Sequence, residues 1–185
     1  MMTRRYFLFG CGGFALLGLT GCERPETAGA ALQPVPIEAD DACALCGMPI
    51  SEFPGPKGEL ILQGASQVLK FCSTRDLFAY MLQPDIAPSI RAIYVHDMAA
   101  TAWDKPATEA FVDARQAWYV AGHPLPGAMG PTLASFKERP AAEAFSQRHR
   151  GRLLSFQQVD LALLQNLGEG MPAMAPAPMP GHAGH

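Results

Sequence analysis

Residues 59–82 read ELILQGASQVLKFCSTRDLFAYML, and the change of apolar spacing along them decides the fold. The runs 59–64 and 67–72 are rich in Leu, Ile, Val and Phe and meet at Ala65-Ser66, which predicts a β-hairpin. Ser73 stands where a helix N-cap belongs. Beyond it Leu77, Phe78, Met81 and Leu82 recur at helical spacing, so a helix through Leu82 is expected to lay one apolar side on the hairpin. Residues 91–98, RAIYVHDM, return to alternation and predict a third strand.

The same order recurs downstream. Residues 110–120 are strand-like and residues 133–136 offer a pairing strand. Pro140 opens a helix to His149, with Ala144 and Phe145 turned inward, and residues 153–156 form a closing strand. A β-β-α-β unit read twice predicts an α+β chain of two small similar domains, 41–102 with the chemistry-bearing motif and 103–167, joined through residues 99–109 with Pro106.

The flanks read differently. Arg4 and Arg5 precede a short apolar run that falls below the roughly 20 residues of a membrane-spanning helix, and Leu19-Thr20-Gly21-Cys22 resembles a lipoprotein processing site. Residues 1–21 are therefore expected to be a removed signal peptide and Cys22 the lipidation site. The arginine pair also resembles a twin-arginine signal, so the export route stays open between the two. Glu23 after Cys22 carries no aspartate retention signal, which favours the outer membrane, facing the periplasm. Residues 22–40, rich in Pro, Ala and acidic side chains, are expected to be a flexible tether, and residues 168–185, rich in Met, Pro, Gly and His, a disordered tail. The formal charge of −3, with no basic run, argues against nucleic acid as a partner.

Of five cysteines, Cys11 leaves with the signal and Cys22 takes lipid. Cys43, Cys46 and Cys72 remain, an odd number that cannot close a disulfide framework in an oxidising compartment. Cys43-Ala44-Leu45-Cys46-Gly47-Met48-Pro49 is the sharpest motif. A thiol-disulfide oxidoreductase would place it after a buried strand and at a helix start, and neither flank fits. A zinc knuckle would draw on Cys72 and His96 as further ligands. A copper(I) site suits thiolate combined with thioether, and Met48 beside Cys46 favours it. In Tyr94-Val95-His96-Asp97-Met98, alternation puts His96 and Met98 on one strand face, away from Ile93 and Val95, as a second pair of candidate ligands. Imidazole ligates when neutral, so the part played by His96 is expected to fade below about pH 6.5. Cys72 reads as a core cysteine, and residues 53–58 as a rigid exposed loop.

These motifs together, with Phe53-Pro54-Gly55-Pro56-Lys57-Gly58, Lys70-Phe71-Cys72-Ser73-Thr74, Trp103, Ala128-Met129-Gly130, Ala134-Ser135-Phe136 and the Met/His tail, resemble the NosL-type copper chaperones across nearly all of the chain beyond Cys22. The resemblance implies two related ββαβ domains in a periplasm-facing lipoprotein rather than an enzyme. It implies that one copper(I) ion is bound and passed, through a membrane transporter complex, to nitrous oxide reductase. Its candidate ligands in this sequence are Cys43 or Cys46, Met48, His96 and Met98. A periplasmic thiol oxidoreductase using Cys43 and Cys46, or a zinc-stabilised structural lipoprotein, are the alternatives.

Overall fold

The computed structural model describes residues 32–168, and the expected signal segment, Cys22 and the tail beyond Gly168 lie outside them. β1 (Gly58–Leu62) and β2 (Leu69–Phe71) form the expected hairpin, and α1 (Thr74–Met81) follows directly. The Ser73 hydroxyl accepts the Asp76 N–H at 3.0 Å, a cap that typically contributes about 1 kcal/mol. β3 (Ile90–His96) then pairs with β1, and β4 (Phe111–Asp113) closes a four-stranded antiparallel sheet in the order β2-β1-β3-β4.

The second half repeats the plan. β5 (Trp118–Ala121) is flanked by β8 (Ala134–Phe136) and β9 (Arg152–Ser155), with α2 (Arg139–His149) between those two strands in sequence. In each sheet the first strand is central, its next pairing partner lies on one side, and the strand after the helix lies on the other. The repeat read from the sequence is therefore present as topology. A small hairpin, β6 (Pro126–Gly127) with β7 (Gly130–Pro131), and a short helix α3 (Leu161–Gln165) are additions the spacing did not announce.

Several local expectations are corrected. The strand expected over 110–120 is two strands in different sheets, because Asp113 Oδ1 accepts the Arg115 N–H and the buried Tyr119 hydroxyl donates to the Ala114 carbonyl, fixing a turn between them. On α2 it is Ala142 that is buried, with Phe145 and His149 half-buried, while Ala144 is exposed. Residues 53–58 are not an exposed loop, since positions 55–58 are buried and the Gly55 N–H donates to the Trp103 carbonyl. The tether is also shorter than expected, because from Leu32 the chain is already fastened to the first sheet. Val35 N–H donates to Glu59, Lys70 to the Pro36 carbonyl and Tyr94 to the Leu32 carbonyl, and Ile37 is buried in the core.

One apolar core runs through both halves. Leu77 and Phe78 of α1 share it with Tyr119, Leu133 and Leu154, and Phe78 meets Tyr119 edge to face at 5.2 Å. At the junction Thr74 Oγ1 donates to the Leu133 carbonyl, and Ser135 Oγ to the His96 carbonyl. Among the described residues no helix is long and apolar enough to cross a membrane.

Close approach of α2 to β5 depends on Gly151. A Cβ there would overlap Val120 Cγ1 and lie 2.9 Å from the Ala121 carbonyl oxygen. Gly151→Ala is expected to cost roughly 1–3 kcal/mol, seen as a lower urea midpoint with unchanged m-value. An unchanged midpoint would show that β5 and the end of α2 are not in this contact.

Candidate metal centre

Residues 42–49 fold into a tight knuckle. The Cys43 N–H donates to the Met48 carbonyl and the Gly47 N–H to the Cys43 carbonyl, both at 2.9 Å. Gly47 takes φ +74, the left-handed conformation that such a reversal needs and that a side chain would oppose. The knuckle is docked by the Ala44 N–H on the Lys70 carbonyl, at the end of β2. That contact brings it to Cys72, which follows β2, and to Asp76 in the first turn of α1. The Sγ atoms of Cys43, Cys46 and Cys72 and a carboxylate oxygen of Asp76 all lie within 4.8 Å of one another. None of the three cysteines is in a disulfide.

The electrostatics favour one thiolate. The neighbouring Cys72 thiol, working against burial, brings the Cys43 thiol down to about 5, and both sulfurs lie within reach of the Asp76 carboxylate, Cys43 at 3.6 Å and Cys72 at 3.3 Å. Cys72 is held protonated, pushed up by the neighbouring Cys43, by burial and by the charge of Asp76, whose carboxylate accepts from its thiol. Cys46 is raised too, chiefly by burial, yet it is the solvent-facing sulfur of the three and lies 3.5 Å from Cys72 Sγ. Lys57 is buried beside them. Its ammonium donates to the carbonyls of Phe53 (2.6 Å), Pro54 (3.1 Å) and Cys72 (3.1 Å). Burial lowers it to about 8, and the nearby thiols pull the other way.

The structure thus joins Cys43 and Cys46, brings in Cys72, which the sequence offered only to a zinc site, and adds Asp76. Cys72 is buried, as expected of a core cysteine, but its sulfur belongs to the cluster. Asp76 escaped sequence reasoning, although its position four residues after Cys72, across a helix cap, was a usable signal. Met48 is half-buried in the knuckle itself. His96 is not within the 4.8 Å group. It is the last residue of β3, 1% exposed, tilted against Phe111 at 4.3 Å, and neither ring nitrogen has a hydrogen-bond partner. Burial, helped by the Lys57 charge, lowers it to about 3. The face expected to be open is closed. Met98 lies past the strand end, where its N–H donates to the Ser135 carbonyl and its side chain packs against the second core with Val120 and Phe136.

This arrangement defines an α+β protein with a sulfur-rich cluster, able to hold a metal ion, at the edge of its first sheet. The NosL family model matches residues 34–164, and the chain belongs to that family. It is 43% identical over 173 residues to the copper-binding lipoprotein NosL of Stutzerimonas stutzeri, covering 91% of this chain and 90% of that one. Its identity to the copper-binding lipoprotein NosL of Achromobacter cycloclastes is 32% over 167 residues, covering 89% and 84%. Among solved structures, the copper chaperone NosL from Shewanella denitrificans superposes with a TM-score of 0.69 at 45% identity, over 70% of this chain and 97% of that one.

A single low thiol among three has a direct signature. In the reduced, metal-free protein about one thiolate should appear in ultraviolet absorbance as pH rises through about 5, with the other two appearing above pH 9. Three thiols ionising together above pH 8 would contradict a cluster that favours charge on Cys43 alone.

Proposed function

We propose that this chain is a lipid-anchored carrier that takes up copper(I) on its thiol cluster and hands it to a partner by ligand exchange, with no catalytic role. The observation that carries this reading is the set of three sulfurs within 4.8 Å, one of them, Cys46, facing solvent beside the exposed Leu45. Thiolate and thioether favour copper(I), and an outward-facing sulfur gives a partner's ligand somewhere to attack. Cys43, Cys46 and Met48 are the proposed primary ligands, with His96 and Met98 completing the sphere when the ion is bound, and Cys72 joining them. The relatives' names as copper-binding lipoproteins support the cargo and the anchor at Cys22. Release to nitrous oxide reductase through its membrane transporter complex, from the periplasmic side of the outer membrane, completes the proposal.

The exchange follows from the charges. A Cys43 thiolate is available near neutral pH without a base, and the Lys57 ammonium offsets negative charge as further thiols deprotonate on the ion. Proton release to solvent accompanies uptake, and transfer reverses it one ligand at a time. Asp76 favours a second reading. Three thiols and a carboxylate make a four-ligand set that zinc also accepts, so metal analysis of anaerobically purified protein decides between about one copper(I) and zinc.

Replacing both Cys43 and Cys46 with Ser is expected to lower copper(I) affinity at least about 100-fold in a chelator competition, because thiolate supplies the strongest bonds to this ion. Stoichiometric copper retained by the folded double variant would end the assignment. For His96 the burial changes the sequence-based expectation. Its ring stays neutral down to about pH 3, so His96→Ala should weaken binding by a similar factor at pH 7 and pH 5, with no fading near 6.5. A deficit that vanishes at pH 5, or no deficit at either pH, would remove His96 from the ligand set.

A further inference from the structure

His123 follows β5 and is 1% exposed, yet neither of its ring nitrogens makes a well-aligned hydrogen bond, the Leu125 backbone offering only a weak contact. A neutral imidazole carries one donor and one acceptor, and an interior that gives neither a good partner lacks something that would match them. The ring is walled by aromatics. Trp103 stands edge to face at 5.1 Å and Phe145 at 5.2 Å, and those two rings stack on each other at 5.8 Å. A second imidazole completes the group. His149 lies tilted against Phe145 at 4.3 Å, one helical turn further along α2, and is close enough to act electrostatically on His123. The thiols, Lys57 and Asp76 have no part in this cluster.

We propose that His123 and His149, beside the indole of Trp103, form a second site for a soft monovalent metal ion, separate from the thiol cluster and weaker than it. Copper(I) and silver(I) accept two imidazole nitrogens as a low-coordinate pair, whereas zinc and harder divalent ions need more donors than this cluster offers. An aromatic face beside the ion adds cation–π attraction, strongest for an indole. The last turn of α2, which carries His149, places the negative end of the helix dipole there as well. Burial, followed by the nearby His149, lowers His123 to about 4 against a weaker opposing hydrogen bond with the Leu125 backbone, so its nitrogens are free of an extra proton at neutral pH. In a carrier, such a site gives the ion a second resting place in the other half of the fold.

The test is a titration of the full chain in detergent, reduced and anaerobic, with copper(I) in acetonitrile and in parallel with silver(I). The first equivalent should raise thiolate charge-transfer absorbance. The second should add little of it and quench Trp fluorescence, as an ion beside Trp103 would. His123→Leu should leave the first equivalent intact and weaken the second at least about tenfold, and His149→Ala should weaken it less. Binding by the Met and His residues at 171–185 would survive His123→Leu without quenching, and a second equivalent of that kind alone would overturn the proposal. Should His123→Leu fail to fold, the wild-type protein still decides. The ring nitrogens of His123 and His149 must shift in a proton–nitrogen correlation spectrum on the second silver(I) equivalent, and unmoved nitrogens would refute the site. Failure of the second equivalent with the first intact counts against this site alone, while loss of the first counts against the carrier reading.

Discussion

The ammonium of Lys57 is the interaction on which the rest of the first half depends. Removing a cation from water costs several kcal/mol unless its hydrogen-bond capacity is met, and here three carbonyls use the three donors. Two of them belong to the segment just before it, which folds residues 53–58 inward. The third belongs to Cys72, which ties that segment to the end of β2. The Lys57 carbonyl accepts the His96 N–H, so the same residue also joins the end of β3. A buried positive charge next to ionisable thiols then has an electrostatic consequence as well as a structural one. It supports the thiolate at Cys43 and disfavours charge on His96.

Much of this was legible in the sequence because it is local. The hairpin, the Ser73 cap, the helix and the Cys-x-x-Cys knuckle each depend on neighbours within a few residues, and each formed close to where the spacing placed it. The departures arise from contacts between distant segments. Alternation along β3 correctly separated Ile93 and Val95 from Tyr94 and His96, but it assumed that one face of the sheet was open. Residues 32–37 cross that face through Val35 on Glu59 and Leu32 on Tyr94, and Phe111 of β4 covers His96. Four of the five β1 residues are buried as a result. A segment with a tether's composition gives no local sign that it will be pinned down. Asp76 was missed for a similar reason, since its link to the knuckle depends on the Ala44–Lys70 backbone bond between two segments far apart in sequence.

The two halves use one topology for different ends. In the first, the loop before the central strand carries the thiol-bearing knuckle, and the first turn of the helix supplies Asp76. In the second, β5 is entered from the tight turn that follows β4 and has no comparable loop, so no thiol cluster is repeated. The shared core explains why the halves cannot be treated as independent beads. Tyr119 and Leu133 pack with Phe78, and the Thr74–Leu133 and Ser135–His96 hydrogen bonds fasten α1 and β3 to the second sheet. A change in how His96 sits is therefore transmitted to Ser135 and β8 through bonded atoms.

That coupling bears on how a carrier holds its cargo without trapping it. A closed shell of four rigid ligands releases metal slowly, whereas a donor set with members of unequal freedom can open from one side. Here Cys43 and Cys72 are fixed in the core and Cys46 stands on the outer curve of the knuckle, behind a glycine with left-handed backbone geometry. In the proposed carrier the inner sulfurs would keep hold while the outer one is exchanged, and the exposed Leu45 next to it would offer an approaching protein apolar contact. His96 and Met98 lie on the other side, at the seam between the sheets, where the Ser135 bonds hold their backbone. Their recruitment to the ion would require movement at that seam, so binding and the fit between the halves are linked by the same few hydrogen bonds.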